Sequence, residues 1–497
     1  MLRLQGAKGI DTFTESIKKN YLPKESSLEH EGLFSDYYFE TANESEKLFK
    51  ANFNYAVTVD PIHREHEYYI SIGMASCLDG DGLQKHGGRP LLNLVIILDT
   101  SGSMRSSFYG ESKGKLEVAK DSILALLTHL VSADQFCLLT FDTSYHVIQE
   151  PSLWGNIDQT KLKTQILALQ AGGGTSLTAG MQGCTEMIHK MLSNQPKSTG
   201  SSQYYENRIM YLTDMVPSSN DSDGTKLFQM CTENSTHNIY TTFIGIGVDF
   251  NTDIVALIGK IRACNYYSVK SARDFKKTMD EDFEYIVTPS VFDINIEVDE
   301  KSLQEWEPIR VFGSPGHEIP EHGRLTFIES TFPSQKQSDT MTKGGMVLVK
   351  LNKKNFGNTE SELHLKVRYK DRLGQQYKDS DVLKLQNHSE DYFQTISIRK
   401  AILLTRYVNF FKNYLTDVRN KKDHTPTMNS TVGICAPPVE RIKTDQSVQQ
   451  MRELTAEYRP LFDVFIDYFS REMTVIDDPQ LERELQPLVT ISTFTGK

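Results

Sequence analysis

The 497-residue sequence predicts an α/β domain with a doubly wound, mostly parallel sheet, accompanied by a β-sandwich-like domain and C-terminal helices. Between residues 92 and 287, apolar strand-like segments alternate with amphipathic helical ones. That alternation is typical of a parallel sheet covered by helices on both faces. After residue 290 the helical period gives way to short alternating segments separated by turns, which indicates a separate β domain.

The chain begins with a polar, mixed segment, residues 1–45, whose one aromatic cluster is EHEGLFSDYYFE. Residues 46–90 contain two alternating segments, NYAVTVD and EYYISIGMAS, followed by the turn-rich linker CLDGDGLQKHGGRP. We expect the two alternating segments to pair as strands and to join the flanking β domain.

The α/β domain is predicted over residues 92–287. Its predicted strands are LNLVIILD, QFCLLTFD, NRIMYLTD, IYTTFIGIG and YYSVK. Its predicted helices are KLEVAKDSILALLTHL, DQTKLKTQILALQ, LTAGMQGCTEMIHKMLS, TKLFQMCTEN, TDIVALIGKIR and ARDFKKTMDEDFEYIV. The helical segments carry apolar residues at helical spacing on one face, as expected for helices that pack on a sheet.

The rest of the chain is predicted as a β-sandwich domain over residues 290–385 and a helical region over residues 390–497. The helical region contains two long amphipathic segments, TISIRKAILLTRYVNFFKNYLTDVRN and DQSVQQMRELTAEYRPLFDVFIDYF. We expect their apolar stripes to pack against the β domain and not on lipid.

Composition narrows the classes of function. The net charge is −11 without a large basic block, which argues against nucleic-acid binding through a broad cationic face. No stretch approaches 18 consecutive apolar residues, so no transmembrane helix is predicted. The N-terminus lacks the apolar core of a secretory signal, and the six cysteines form no CxxC pair. Together these features predict a cytoplasmic protein.

Polar side chains follow the apolar strands at three places in the α/β domain. The stretch LVIILDTSGSM ends a buried strand in an aspartate and two serines, AGGGTS presents a threonine after three glycines, and NRIMYLTD ends in an aspartate. The crevice of a doubly wound sheet lies at the carboxyl ends of its strands. Oxygen is the ligand that a hard divalent cation prefers. The sequence therefore predicts a metal site formed by Asp99, Ser101, Ser103, Thr175 and Asp214.

Other interpretations of these stretches fit less well. A nucleophilic serine needs a nearby base, and His129 and His146 are predicted at a helix end and in a loop. SGSM matches neither GxSxG nor SxxK, and AGGGTSL lacks the lysine of a phosphate loop. HREHE at 63–67 lacks the HExxH spacing of a zinc helix. A DxSxS stretch alone is equally consistent with a turn that caps the next helix, and the other two segments favour metal.

The motifs DTSGSM, GGGTS and YLTD, in this order, resemble the metal-ion-dependent adhesion site of von Willebrand factor type A domains, whose fold is Rossmann-like. This resemblance covers residues 92–287. The flanking segments EHEGLFSDYYFE and GGMVLVKLN…LHLKVRYKD are similar to the bacterial YfbK-type proteins of this class, which are homologous to calcium-activated chloride channels. The chain departs from the pattern at Met215, where such domains usually have glycine.

The resemblance implies a role for each predicted ligand. Ser101 and Ser103 would bind the ion through their hydroxyls, and Thr175 would bind it directly when a partner is present. Asp99 and Asp214 would act largely through water, or Asp214 would bind the ion directly in a closed state. The ion, Mg²⁺ or else Mn²⁺ or Ca²⁺, would then accept an Asp or Glu carboxylate from a protein partner. The resemblance thus implies a non-enzymatic interaction protein whose β domain presents or regulates the metal face.

Two alternative functions remain at this stage. A metal-dependent hydrolase would use the same ion to activate water, with Asp142 or Asp249 as the base. A membrane- or channel-regulating protein would attach peripherally to a bilayer through the cation.

Overall fold

The structure is a computed structural model that describes thirteen stretches of the chain. These are residues 28–40, 46–108, 112–194, 205–214, 222–247, 257–269, 271–314, 323–334, 336–338, 341–342, 345–354, 360–420 and 445–493. Within them the strands form sheets of six, five and four strands and a two-stranded ribbon.

The first described elements are helix α1 (His30–Asp36), strands β1 (Lys50–Val59) and β2 (His66–Ala75), and the single turn α2 (Gly82–Lys85). Strands β1 and β2 pair in antiparallel register along their whole length. Helix α1 is not predicted by the sequence analysis, which finds only an aromatic cluster there. Leu33, Phe34 and Tyr37 are buried in the same apolar core as the C-terminal helices, so tertiary packing determines this short helix.

The α/β domain is built on a six-stranded sheet in the order β5-β4-β3-β6-β7-β8. Its strands are β3 (Leu91–Asp99), β4 (Gln135–Phe141), β5 (Tyr145–Leu153), β6 (Tyr205–Thr213), β7 (Ile239–Ile246) and β8 (Asn265–Val269). Five of them run parallel, and β5 is antiparallel to β4 at the sheet edge. The predicted fold class, doubly wound and mostly parallel, is confirmed.

The sheet is covered on both faces. Helices of this domain are α3 (Lys115–Leu126), α4 (Gln159–Ala168), α5 (Leu177–Asn194), α6 (Ser222–Thr236), α7 (Ala272–Lys276) and α8 (Phe283–Ile286). Successive residues of β3 enter two different cores, since Ile96 packs with α3 and Ile97 packs with α5 and α6. Because neighbouring side chains of a strand point to opposite faces, a strand covered on both sides is apolar throughout.

Two details of this domain differ from the sequence predictions. Strand β5 is not predicted, and His146 therefore lies in an edge strand and not in a loop. The segment 272–287, predicted as one helix, is interrupted by a π-helical turn at Lys277–Glu281 between α7 and α8. Such turns insert a residue into the helical ladder, which apolar periodicity does not reveal.

Two antiparallel sheets form the β sandwich. Its further strands are β9 (Val291–Val298), β10 (Trp306–Phe312), β11 (Arg324–Thr331), β14 (Met346–Lys353), β15 (Glu360–Lys370), β16 (Gln376–Gln386) and β17 (Tyr392–Phe393). Strands β12 (Lys336–Ser338) and β13 (Met341–Thr342) form the separate two-stranded ribbon. The sheets have the orders β10-β14-β2-β1-β17 and β11-β9-β15-β16, and an apolar core lies between them. Strand β2 pairs with β14, so the α/β domain is inserted between strands of one sheet.

Three helices follow the sandwich: α9 (Ile396–Asn420), α10 (Asp445–Ile476) and α11 (Glu482–Ser492). Helix α11 is absent from the sequence prediction. A single apolar cluster joins these helices to α1 and to Ala56, Tyr69 and Leu348 of the five-stranded sheet. Their apolar stripes are therefore core contacts. None of the helices in the described ranges has both the length and the apolar character needed to cross a membrane.

The α/β domain contacts the sandwich at the amino ends of its parallel strands. The Ala263 amide, just before β8, donates to Ser330 Oγ at 3.0 Å. The Arg208 guanidinium, near the start of β6, lies 5.6 Å from the Phe332 ring centroid. These contacts lie at the opposite end of the sheet from the predicted metal ligands.

Candidate metal site

The site begins where two neighbouring strands end. Strand β3 ends at Asp99, and β6 ends at Thr213, which precedes Asp214. The strands pair in parallel with Leu98 opposite Leu212. Because parallel strands in register end at the same edge, residues more than a hundred positions apart meet there.

Asp99 is held by two donors. It is fully buried, its Oδ1 accepts from the Ser101 amide at 2.8 Å, and its Oδ2 accepts from Thr213 Oγ1 at 2.7 Å. Burial raises the pKa of Asp99 above its ordinary value, while the hydrogen bonds from Ser101 and Thr213 act in the opposite direction. Nearby Asp214 raises this pKa further. A cation at the site would relieve both the desolvation and the repulsion.

A chain of hydroxyls connects the strand ends. Ser101 Oγ and Ser103 Oγ are 3.0 Å apart, and Ser103 Oγ donates to Asp214 Oδ1 at 2.7 Å. Ser101 is buried, whereas Ser103, in the 3₁₀ turn Gly102–Arg105, is exposed. The arrangement therefore extends from the interior to the surface. Four of the five predicted ligands are brought together.

The glycine-rich loop between α4 and α5 lies against the same turn. The Gly172 amide donates to the Thr100 carbonyl at 2.7 Å, and the Gly102 amide donates to the Gly173 carbonyl at 3.3 Å. Thr175 follows on this loop and is half-buried. Within the described residues, no hydrogen bond joins its side chain to the other four predicted ligands. The structure thus places the Thr175 loop at the site without bringing the hydroxyl into contact.

Lys115 is a charged member of the site that the sequence analysis missed. Its Nζ donates to Asp214 Oδ2 at 3.0 Å, and the Lys115 and Asp214 side chains are only 13% and 2% exposed. Lys115 opens helix α3, where a cation is disfavoured by the helix dipole. Nothing in the local sequence of this helix start points to Asp214, so the contact has no sequence signal.

The donor set suits a hard cation. Two carboxylates and the serine hydroxyls supply only oxygen, as Mg²⁺ requires. In the part of the chain that the structure describes, no three His, Cys, Asp or Glu side chains form a group able to hold a metal. A metal here would therefore depend on the hydroxyls. In the HREHE stretch, Glu67 accepts from Lys350 and Arg406, so this carboxylate belongs to an ion-pair network.

The residues considered for catalysis are engaged in other contacts. Asp142 Oδ1 accepts from the Ser144 amide and from Thr143 Oγ1, and the Ser144 bond is the main cause that lowers the Asp142 pKa. His129 Nε2 contacts Asp280 Oδ1 at 2.6 Å. His146 Nε2 lies 3.4 Å from Ser144 Oγ at the start of β5. Among the described residues, neither histidine is hydrogen-bonded to Ser101 or Ser103. Asp249 and Met215 lie outside the described residues.

Comparison with known families agrees with the fold of the α/β domain. Residues 94–216 match the family model described as von Willebrand factor type A domain. The chain therefore contains a von Willebrand factor type A domain, and the matched range includes all five predicted ligands. The comparison with curated proteins found no match.

Similar solved structures span several proteins. A von Willebrand factor type A protein from Catenulispora acidiphila is 14% identical, with a TM-score of 0.47, covering 92% of this chain and 99% of that one. The ArnB paralog VWA2 from Sulfolobus acidocaldarius is 13% identical, with a TM-score of 0.39, covering 90% and 97%. The PilB minor pilin from Streptococcus sanguinis is 15% identical, with a TM-score of 0.32, covering 46% and 77%.

Proposed function

We propose that this chain is a protein-interaction module, not an enzyme, and that its α/β domain binds Mg²⁺ and thereby an Asp or Glu side chain of a protein partner. Von Willebrand factor type A domains are generally interaction modules, and the family match supports the coarser part of this proposal. The finer part depends on one observation, the hydrogen-bonded chain of Ser101, Ser103 and Asp214 at the carboxyl edge of the sheet.

The proposed site residues divide into two groups. Ser101, Ser103 and Thr175 would offer hydroxyl oxygens, while Asp99 and Asp214 would balance charge. A bound cation supplies a positive centre for a carboxylate. Because the hydroxyl donors are uncharged and the two aspartates are proposed to act largely through water, few negative charges touch the ion directly and it stays electrophilic. An electrophilic ion favours an acidic group from a partner. Mn²⁺ or Ca²⁺ would suit the same oxygen donors.

The hydrolase alternative is less well supported. It needs a base beside the ion, and the lowered pKa of Asp142 makes that carboxylate a weak one. The Asp142 carboxylate also forms the turn before β5. We therefore assign it a structural role in the loop.

Partner capture tests the proposal. Wild-type protein in Mg²⁺ is compared with wild type in EDTA, Ser103→Ala in Mg²⁺ and Ser107→Ala in Mg²⁺. Ser107 is an exposed serine of the same loop whose hydroxyl donates to the Ser112 carbonyl at 3.4 Å and, among the described residues, to none of the predicted ligands, so its variant is the matched control. We expect wild type and Ser107→Ala in Mg²⁺ to retain a partner that the other two samples lose.

The captured partner then provides a second test. Replacing its acidic residues by amides one at a time is expected to identify one whose loss abolishes capture. A partner that survives EDTA and the Ser103→Ala change would show that another surface binds it, and the proposal would be wrong.

A further inference from the structure

We infer that Lys115 is an internal counter-ion that competes with the divalent cation for Asp214 and so sets how tightly the site holds its metal. This inference rests on the proposed function, because it assumes that the metal binds at this site. It concerns a residue that belongs to none of the three motifs of the site.

Both carboxylate oxygens of Asp214 are hydrogen-bonded. Oδ1 accepts from Ser103, and Oδ2 accepts from the Lys115 ammonium. The carboxylate is almost wholly buried, so it needs a positive partner in the absence of metal. Lys115 provides one and keeps the strand end ordered. A metal that draws on Asp214 must share or displace this ammonium.

The backbone and the side chain of Lys115 are both held near the site by the surrounding residues. A Cβ added to Gly247 would lie 2.8 Å from Lys115 Cε and 3.3 Å from its Nζ. Gly247 has a φ of +69°, and its lack of a Cβ leaves room for the aliphatic part of the Lys115 side chain. The Lys115 amide also donates to the Ser106 carbonyl at 2.8 Å. Both ends of this residue are fixed near the site.

Two neighbouring cations, Lys113 and Arg105, do not contact the predicted ligands. Lys113 is two residues away but pairs with Asp121 on the surface, with 64% of its side chain exposed. Arg105 donates to the Ala171 carbonyl, on the glycine-rich loop. Among these three cations, Lys115 is the one whose charge touches a predicted ligand.

Electrostatics gives the direction of the effect. An ammonium and a divalent cation that share one carboxylate repel each other in a partly buried site, where screening by water is weak. Removing the ammonium should therefore tighten metal binding by about tenfold or more. A lysine that merely stabilised the loop would have the opposite effect, because its loss would loosen the site.

Calorimetric titration with Mg²⁺ and with Mn²⁺ tests the inference on wild type, Lys115→Met and Lys113→Met. Lys113→Met removes the same charge two residues away and serves as the control. We expect the dissociation constant to fall at least about tenfold in Lys115→Met and to change less than about twofold in Lys113→Met. Unchanged or weaker binding by a folded Lys115→Met protein would overturn the inference and leave the proposed function intact.

A second measurement needs no variant. Wild-type protein is treated with an amine-acylating reagent in EDTA and in Mg²⁺, and modification of each lysine is measured by mass spectrometry. We expect acylation of Lys115 to rise several-fold with Mg²⁺, while acylation of Lys113 stays constant. Equal acylation of Lys115 under both conditions, with metal binding verified, would contradict the competition. Absence of metal binding in both wild type and Lys115→Met would refute the proposed function and the inference together.

Discussion

At the scale of single residues, the site depends on hydrogen bonds that hold buried carboxylates in place. Asp99 has no exposure to solvent and receives one bond from the Ser101 amide and one from Thr213 Oγ1. A buried acceptor that loses its donor is left desolvated without a hydrogen bond, which destabilises the folded state. Thr213, which the sequence analysis does not single out, is therefore a supporting residue of the site.

Thr213→Val tests this support, because it removes the hydroxyl and retains the volume of the side chain. We expect a decrease in the free energy of unfolding of about 1–3 kcal/mol, measured by urea denaturation. Thr331→Val is the control, since Thr331 is equally buried and its hydroxyl has no hydrogen-bond partner among the described residues. Equal losses in the two variants would contradict a special role for Thr213.

The sequence predicts the proximity of most site residues but not all of them. Asp99, Ser101 and Asp214 follow buried strands, and parallel strands align their ends, so their meeting is predictable. Lys115 is not, because the Asp214 that it contacts lies 99 residues away and its own surroundings look like an ordinary helix start. A long, flexible side chain finds its partner through tertiary structure, which local pattern does not encode.

At the scale of elements, the glycine-rich loop is the least regular part of the site. Gly173 has a φ of +80°, and a Cβ there would lie 3.1 Å from Asp142 Oδ2. The Ser176 amide donates to the Asp142 carbonyl at 2.6 Å. Asp142 thus packs against the glycine-rich loop on both sides of Thr175, and this packing determines the position of Thr175.

Gly173→Ala is expected to strain the loop. The left-handed conformation costs a residue with a Cβ about 1–2 kcal/mol, and the contact with Asp142 adds to it. Gly172→Ala is the matched control, because its added Cβ would meet only the Arg105 guanidinium at 3.6 Å. We expect weaker Mg²⁺ binding and a lower Tm in Gly173→Ala than in Gly172→Ala. Indistinguishable variants would show that the loop does not depend on this glycine.

Elements buried on both faces are the ones that the sequence predicts well. Strands β3, β4, β6 and β7 are almost wholly buried and mainly apolar in their centres, so their boundaries are nearly those predicted. Strand β5 lies at the sheet edge with half its residues in solvent, which removes the apolar signal. Helix α1 has seven residues and no side-chain cap, so its formation depends on the core that it joins.

At the scale of the whole molecule, the β sandwich packs against the α/β domain and against the C-terminal helices. The α/β domain contacts it through the amino ends of the parallel strands, and the C-terminal helices cover its five-stranded sheet. The candidate metal site lies at the far edge of the α/β domain. The expectation that the β domain presents or regulates that site therefore requires transmission through the α/β sheet, since the observed contacts lie at its opposite end.

A buried carboxyl group in the C-terminal helices makes the stability of the molecule depend on pH. Glu484, in α11, is fully buried, and burial raises its pKa to about 7 although Arg483 acts against this. The folded state therefore binds a proton more tightly than the unfolded state does. This contribution is fully present below the ordinary pKa of 4.5 and is lost as the pH rises through about 7.

Glu484→Gln should remove this dependence. Between pH 5 and pH 8 we expect the stability of wild type to fall relative to the variant by about 2–3 kcal/mol, measured from thermal unfolding at each pH. Glu482→Gln, a change at an exposed position of the same helix, is the control. If wild type and Glu484→Gln had parallel pH profiles, the buried carboxyl would not be the cause.

The central claim is that the hydroxyl and carboxylate oxygens at the carboxyl edge of the sheet bind one divalent cation. Titration of Mn²⁺ followed by electron paramagnetic resonance counts bound ions directly, because only free Mn²⁺ gives the sharp six-line spectrum. We expect one ion per wild-type chain, displaced by excess Mg²⁺, and one per chain in Ser107→Ala. A double Ser101→Ala, Ser103→Ala variant that is folded should bind none. Undiminished binding by that double variant, or no binding by wild type, would contradict the claim.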